Sequence, residues 1–197
     1  MKYEKYILKI KNILKFCFVF LLFNLYFLIL GSKAPIFANE TTQVAESSGV
    51  NYQLSYPGLL PDHPLYFLKA GRDRIMSFFI SKPLKKAEFN LIQADKRVEA
   101  SFLLSKKGGD KIDLAQSTFS KAENYFEDAI DNTAAAKAQG MNTIELSQKL
   151  HDSNQKHQQI LKDMTEKLSE ANKEKFATEH GRLKQFEKKV KELNQKQ

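Results

Sequence analysis

The sequence predicts an all-α fold: an antiparallel bundle of four long helices, preceded by a short helix and a proline-rich cap. Three observations carry this reading. From Leu84 to Gln197 there is no proline, and glycine occurs there only at 108, 109, 140 and 181. The same stretch is dominated by Lys, Glu, Gln, Ala and Leu, which are good helix formers. Its apolar residues recur at spacings of three and four, and nothing alternates with period two for long enough to build a sheet.

The chain begins with a leader. Ile13 to Leu30 is an apolar run of 18 residues interrupted by Lys15 and Asn24 and preceded by Lys2, Lys5, Lys9 and Lys11. Positive residues are held on the cytoplasmic side, so residues 1–38 read as a membrane-targeting segment whose C-terminal side is exported. Ala34-Pro35-Ile36-Phe37-Ala38 suits a signal-peptidase site. The alternative is an uncleaved anchor, because a run of this length comes close to spanning a bilayer. Membrane contact would then run through residues 13–30. Cys17 lies near the start of the run, where a lipoprotein signal would not place it. Once the leader is removed no cysteine remains, so stability must come from packing.

The leader also accounts for most of the charge. The chain has 31 basic and 23 acidic residues, but six lysines and one glutamate fall within residues 1–38. The remainder holds 25 basic and 22 acidic residues, a net of only +3. Nucleic-acid binding thereby loses its main support.

Residues 39–51 are polar, small and aperiodic, which predicts a flexible linker. The helical-bundle domain spans residues 52–197. Its opening stretch holds Pro57, Pro61, Pro64 and Pro83. Pro57-Gly58 fits the centre of a type II turn, and Leu59, Leu60, Leu65, Tyr66 and Leu68 offer a dense apolar surface. The expectation is a rigid cap folded over one end of the bundle; a proline- and aromatic-lined groove for a peptide or glycan is the functional alternative. A first helix should begin near His63-Pro64, capped by Asp62 or His63, and run to about Ile80.

Ser81 should cap the second helix, whose stripe is Leu84, Ala87, Leu91, Ala94, Val98 and Phe102. The third helix sets Ile112, Phe119 and Phe126 on one seam and Ala115, Ala122, Ala129 and Ala136 on the other, large facing small at heptad period. Gly140 is a natural C′ residue, with Asn142 or Thr143 capping the fourth helix. That helix should bury Leu146, Leu150, Ile160 or Leu161, Met164 and Leu168. Ser153 and His157 fall on its stripe and weaken its middle. A fifth segment repeats the pattern with Phe176, Leu183, Phe186, Val190 and Leu193, either after a break near Ala171-Asn172 or continuous with the fourth. Glu145/Lys149, Asp163/Lys167, Glu187/Lys191 and Glu192/Lys196 stand at four-residue spacing and read as solvated helix faces.

The sequence offers little for catalysis. His151 and His157 are six apart, about 600° of helical rotation, so they do not share a face as a two-histidine metal site requires. His180 and Glu179 are adjacent and point apart. No G-x-S-x-G, H-E-x-x-H, phosphate-cradling glycine loop or calcium loop occurs. The expectation is therefore no enzyme, no cofactor and no metal.

The run from Tyr56-Pro57-Gly58 through Leu60-Pro61-Asp62-His63-Pro64-Leu65-Tyr66-Phe67-Leu68-Lys69, then Ser81 to Glu88, then Ala94 to Ala100, resembles a bacterial domain-of-unknown-function family. Its pattern is L-P-D-x-P-L-Y-x-L-K followed by a helical A-x-x-R-x-x-E, and the resemblance covers about residues 52–160. It implies an exported or membrane-anchored protein, and relatives include anti-sigma-like membrane proteins. It carries no activity and no catalytic residues. The chain departs from the pattern at Gly71, where a larger apolar residue is expected and a gap or close approach is left instead. It also departs after Arg97, where the acid follows by two rather than three.

Arg97 sits beside Ala94 and Val98 on the inner half of the second helix, where a guanidinium is costly unless paired. Either it pairs with Asp62 or Asp73 and ties the cap to the bundle, or it lies along the helix with its stem packed. The functional expectation is a non-enzymatic exported protein at the cell envelope, acting on an envelope or surface protein through contacts. The rivals are the external sensor of an anti-sigma-like membrane regulator, for which the twelve residues before the apolar run leave little room inside the cell, and a periplasmic-type chaperone or ligand-binding bundle.

Overall fold

The computed structural model describes residues 51–195. The leader, the predicted cleavage site and the linker up to residue 50 lie outside the described residues, as does Lys196 of the Glu192/Lys196 pair. The chain from Ser47 to Gln197 is a compact unit with a core of its own.

Six helices and no strand occur among the described residues: α1 (Tyr66–Phe79), α2 (Pro83–Lys107), α3 (Lys111–Ala138), α4 (Ile144–Thr165), α5 (Glu170–Glu174) and α6 (Ala177–Gln195). The all-α bundle is as the sequence predicts. Its long members are α2, α3, α4 and α6. They make two antiparallel hairpins, α2–α3 and α4–α6, laid side by side. Across the first, the Ser101 hydroxyl donates to the Ala115 carbonyl at 2.7 Å. Between hairpins the order runs the same way along α3 and α6: Gln116 meets Glu179, Glu127 meets Lys189, and Lys137 meets the Leu193 carbonyl. Thus α3 and α6 are parallel neighbours, and so are α2 and α4, while α3 and α4 approach less closely and meet edge to face through the Phe126 and His157 rings.

The core follows the α3 heptad. Phe119, Phe126 and all four seam alanines are fully buried, with Ile112 nearly so. Small residues let the helices approach and the phenylalanines fill the space that is left. Phe126 stacks in a tilted contact on Phe186, with ring centroids 5.5 Å apart. Phe176, Leu183 and Val190 complete the wall from the C-terminal hairpin.

Helix ends show where local chemistry decides. Gly140 adopts φ +75°, its N–H donates to the Lys137 carbonyl, and the Met141 N–H donates to the Ala136 carbonyl. This is a complete Schellman stop, and a glycine fits that left-handed position without strain. At the start of α4 the Asn142 side chain accepts from the Ile144 N–H, while Thr143 is the N-cap residue without a side-chain cap.

Other boundaries differ from expectation. α1 starts at Tyr66, not at His63-Pro64, because Asp62 is drawn to Lys107 and His63 Nδ1 accepts from the Leu65 N–H instead of capping. Lys82, not Ser81, is the N-cap of α2. The break after α4 brackets Ala171-Asn172, which sit inside the short α5. Glu145/Lys149 and Glu187/Lys191 pair as expected, but Lys162 takes Glu166 at 3.7 Å in the stretch where Asp163/Lys167 was expected.

Candidate functional site

The proline-rich stretch runs along a flank. Tyr52 meets Asp95 in the middle of α2, and Asp62 meets Lys107 at its C-terminal end. The segment is therefore a strap laid lengthwise on α2, not a lid over one end. Within it Pro57 is buried and Gly58 takes φ +67°, the left-handed value that a type II turn needs at its second central position. Lys69, from the first turn of α1, donates to the carbonyls of Pro57 and Leu59 and holds the turn closed. Partial burial pulls the Lys69 ammonium below its ordinary pKa, and the hydrogen bond from Lys107 holds the Asp62 carboxyl below its own.

The structure brings together only part of the motif. Pro57 is buried and Pro61, Asp62 and Tyr66 are half-buried, whereas Tyr56, Gly58, Pro64, Leu65 and Leu68 face solvent. Arg97 is buried but pairs with neither Asp62 nor Asp73. Its Nη1 donates to the Gln93 carbonyl and to Gln93 Oε1 at 2.7 Å, and its guanidinium lies 4.1 Å from the Tyr125 ring centroid. Asp73 pairs with Arg72, its own neighbour, at 2.8 Å. The clasp is thus replaced by a hydrogen bond one helical turn back and a cation–π contact across to α3. At Gly71 there is a gap: nothing stands within 4 Å of where a Cβ would be, and a shallow groove opens between Ala70, Gly71, Arg74, Arg97 and Tyr125.

Deeper in lies a polar knot. Asp95 of α2 is 2% exposed and accepts from three directions. Tyr52 donates to Oδ2 at 2.7 Å, Ser153 donates to Oδ1 at 2.7 Å, and His157 Nε2 stands 2.9 Å from Oδ1. Burial and the adjacent Asp95 carboxylate push the Tyr52 phenol well above its ordinary pKa. The residue types are those of a nucleophilic triad, but the arrangement is not. In a triad the serine and the carboxylate meet opposite ring nitrogens; here both meet Nε2, and Nδ1 has no partner. The knot joins the strap, α2 and α4. The sequence did carry a signal for it: Ser153 and His157 on an apolar stripe, and Asp95 four residues after Leu91 on the buried face of α2.

A second buried polar site lies between α3 and α6. Glu123 and Glu179 are each 1% exposed. Glu179 accepts from Gln116, while Arg182 Nη1 approaches Glu123 at 3.2 Å without the alignment of a hydrogen bond. Burial, opposed by Arg182 and reinforced by Glu179 and Glu127, raises the Glu123 pKa from 4.5 to about 8. The fold therefore holds this proton more tightly than the unfolded chain does. The stabilisation is complete below about pH 4.5 and is lost as pH rises through about 8. Urea midpoints of the 47–197 unit should fall across that window, by an amount on the order of a few kcal/mol in stability. Glu123→Gln should remove most of that fall; an unchanged slope in the variant would assign the titration elsewhere.

Among the described residues no group of three or more His, Cys, Asp or Glu is placed to hold a metal ion. No described helix is long and apolar enough to cross a membrane. The fold and its strap thus define a helical-bundle domain tied by buried polar contacts. The family model described as "Domain of unknown function (DUF5667)" matches residues 58–196, well over half of the chain. The chain belongs to that family, and the match extends past the motif stretch to take in α6. No curated protein and no solved structure matches it.

Proposed function

We propose that this chain is an exported, non-enzymatic bundle that works at the cell envelope by surface contact. The observation that carries the reading is α1. This helix makes only sparse contact with the bundle, yet displays large apolar side chains to solvent, Phe78 at 85% and Phe79 at 76% exposure among them. Apolar surface gathered on one projecting element marks an interaction site. The buried polar groups support the same reading, since Asp95, Ser153, His157 and Tyr52 are engaged with one another rather than presented to a substrate. The leader, with lysines ahead of Ile13–Leu30 and Ala38 after it, supplies the route out of the cytoplasm, whether it is cleaved or kept as an anchor.

Fractionation of the native host tests this directly. The chain should be found outside the cytosol, either starting at Asn39 or held in the membrane with residues 52–197 open to protease added to spheroplasts. A cytosolic chain with Met1 intact and no membrane association would overturn the proposal.

A further inference from the structure

α1 is amphipathic the wrong way round for a bundle helix. Its inward side carries Asp73, buried to 4% exposure, with Tyr66 and Ser77 half-buried beside it. At about 100° per residue, Phe67, Phe78, Ile75, Leu68, Phe79 and Met76 fall on one outward arc of roughly 180°. All six are between 49% and 85% exposed. Arg74 and Lys69 stand at the two edges of that arc, and Arg72 lies within it.

Charge is gathered at the same place. From Tyr66 to Lys86 the chain carries Lys69, Arg72, Arg74, Lys82, Lys85 and Lys86 against the single acid Asp73, a net of +5. The rest of residues 39–197 carries 19 basic and 21 acidic residues, a net of −2. The whole positive balance of the exported part therefore sits on α1 and the turn into α2.

We infer that α1 is the face on which the bundle lies against an anionic lipid surface. The outward aromatic and aliphatic side chains enter the boundary between headgroups and acyl chains, and Arg74 and Lys82 beside them reach the phosphates. The inference rests on the envelope reading above and names the surface being contacted. Charge decides between this occupant and a second copy of the chain. A two-fold dimer through α1 would bring two +5 patches together, which costs affinity; a bilayer carrying anionic headgroups offers the complementary sign. Because Lys69 ties the first turn of α1 to the strap through the Pro57 and Leu59 carbonyls, the helix is already placed for contact.

Vesicle flotation of the 47–197 unit tests this. The unit should float with vesicles of equal phosphatidylglycerol and phosphatidylcholine, stay behind with phosphatidylcholine alone, and be released by high salt. Phe78→Ser/Phe79→Ser and Arg74→Gln/Lys82→Gln should each weaken flotation by about tenfold or more. Both should leave the circular dichroism and urea midpoint unchanged, since these side chains are exposed. Three results would overturn the inference: no flotation with anionic vesicles, flotation insensitive to both variants, or a dimer in ultracentrifugation that the phenylalanine variant dissolves while lipid is ignored. An exported chain that fails to float loses the lipid face and keeps the envelope reading. A cytosolic chain loses the envelope reading whatever the vesicles show.

Discussion

Alanine at Phe119 is expected to destabilise the bundle by about 3–5 kcal/mol, read from urea denaturation of the 47–197 unit followed by circular dichroism. The ring is fully buried in the first half of α3, with Ala115 and Ala122 one turn away on either side, also fully buried. Alanines have no side chain to swing into a vacated volume, so the cavity stays open and its cost adds to the lost transfer energy. A change to leucine should recover much of the loss, because it refills most of the space. A loss below about 1 kcal/mol for Phe119→Ala would mean the ring's site can collapse, contrary to a seam of this rigidity.

Removing the Asp95 carboxylate should cost a similar amount, about 3–5 kcal/mol, by a different route. Asp95→Ala takes the shared acceptor from the half-buried Tyr52 phenol and leaves the buried Ser153 hydroxyl and His157 ring nitrogen with only each other. Each orphaned donor carries a desolvation penalty of about 1–3 kcal/mol. Asp95→Asn, which keeps one acceptor oxygen, should cost less. Tyr52→Phe should cost about 1 kcal/mol alone and couple to Asp95→Ala in a double-mutant cycle, since both break the same bond. Additive losses would show that the strap is held by Leu54 and Lys69 without help from Tyr52.

How much of this was legible in the sequence depended on distance along the chain. The α3 seam was fully legible, because burial there follows from a large–small heptad that one helix carries by itself. Gly140 was legible as well, since its Schellman bonds involve residues within five positions. The knot was half legible. Ser153 and His157 stood out as polar residues on an apolar stripe, but their acceptor lies 58 and 62 residues away. Only the pairing of α2 with α4, a matter of topology, brings them together.

Arg97 left two readings open in the sequence. Of the two readings, the acid clasp does not form; the guanidinium lies back along its own helix, as in the other, but buried on Gln93 and Tyr125 rather than solvated. The orientation of α1 was not legible from composition. Its apolar residues look like core, and the deciding fact, that Asp73 rather than Phe78 faces inward, is set by which side the strap and α2 leave available.

The alanine seam has a cost that the knot removes. Residues repeating every seven positions, such as Ala115, Ala122, Ala129 and Ala136, allow one hairpin to slide along the other by two turns and still find large opposite small. Packing alone would then tolerate several registers of nearly equal energy. Ser153 and His157 have no polar counterparts seven residues away in either direction: Leu146 and Ile160 flank the first at that spacing, Leu150 and Met164 the second. A slipped pairing would seal the Asp95 carboxylate away from Ser153 and His157, and a buried charge without partners is costly enough to empty that state. The knot thus acts as an index mark, giving two otherwise slidable hairpins a single notch in which to lock.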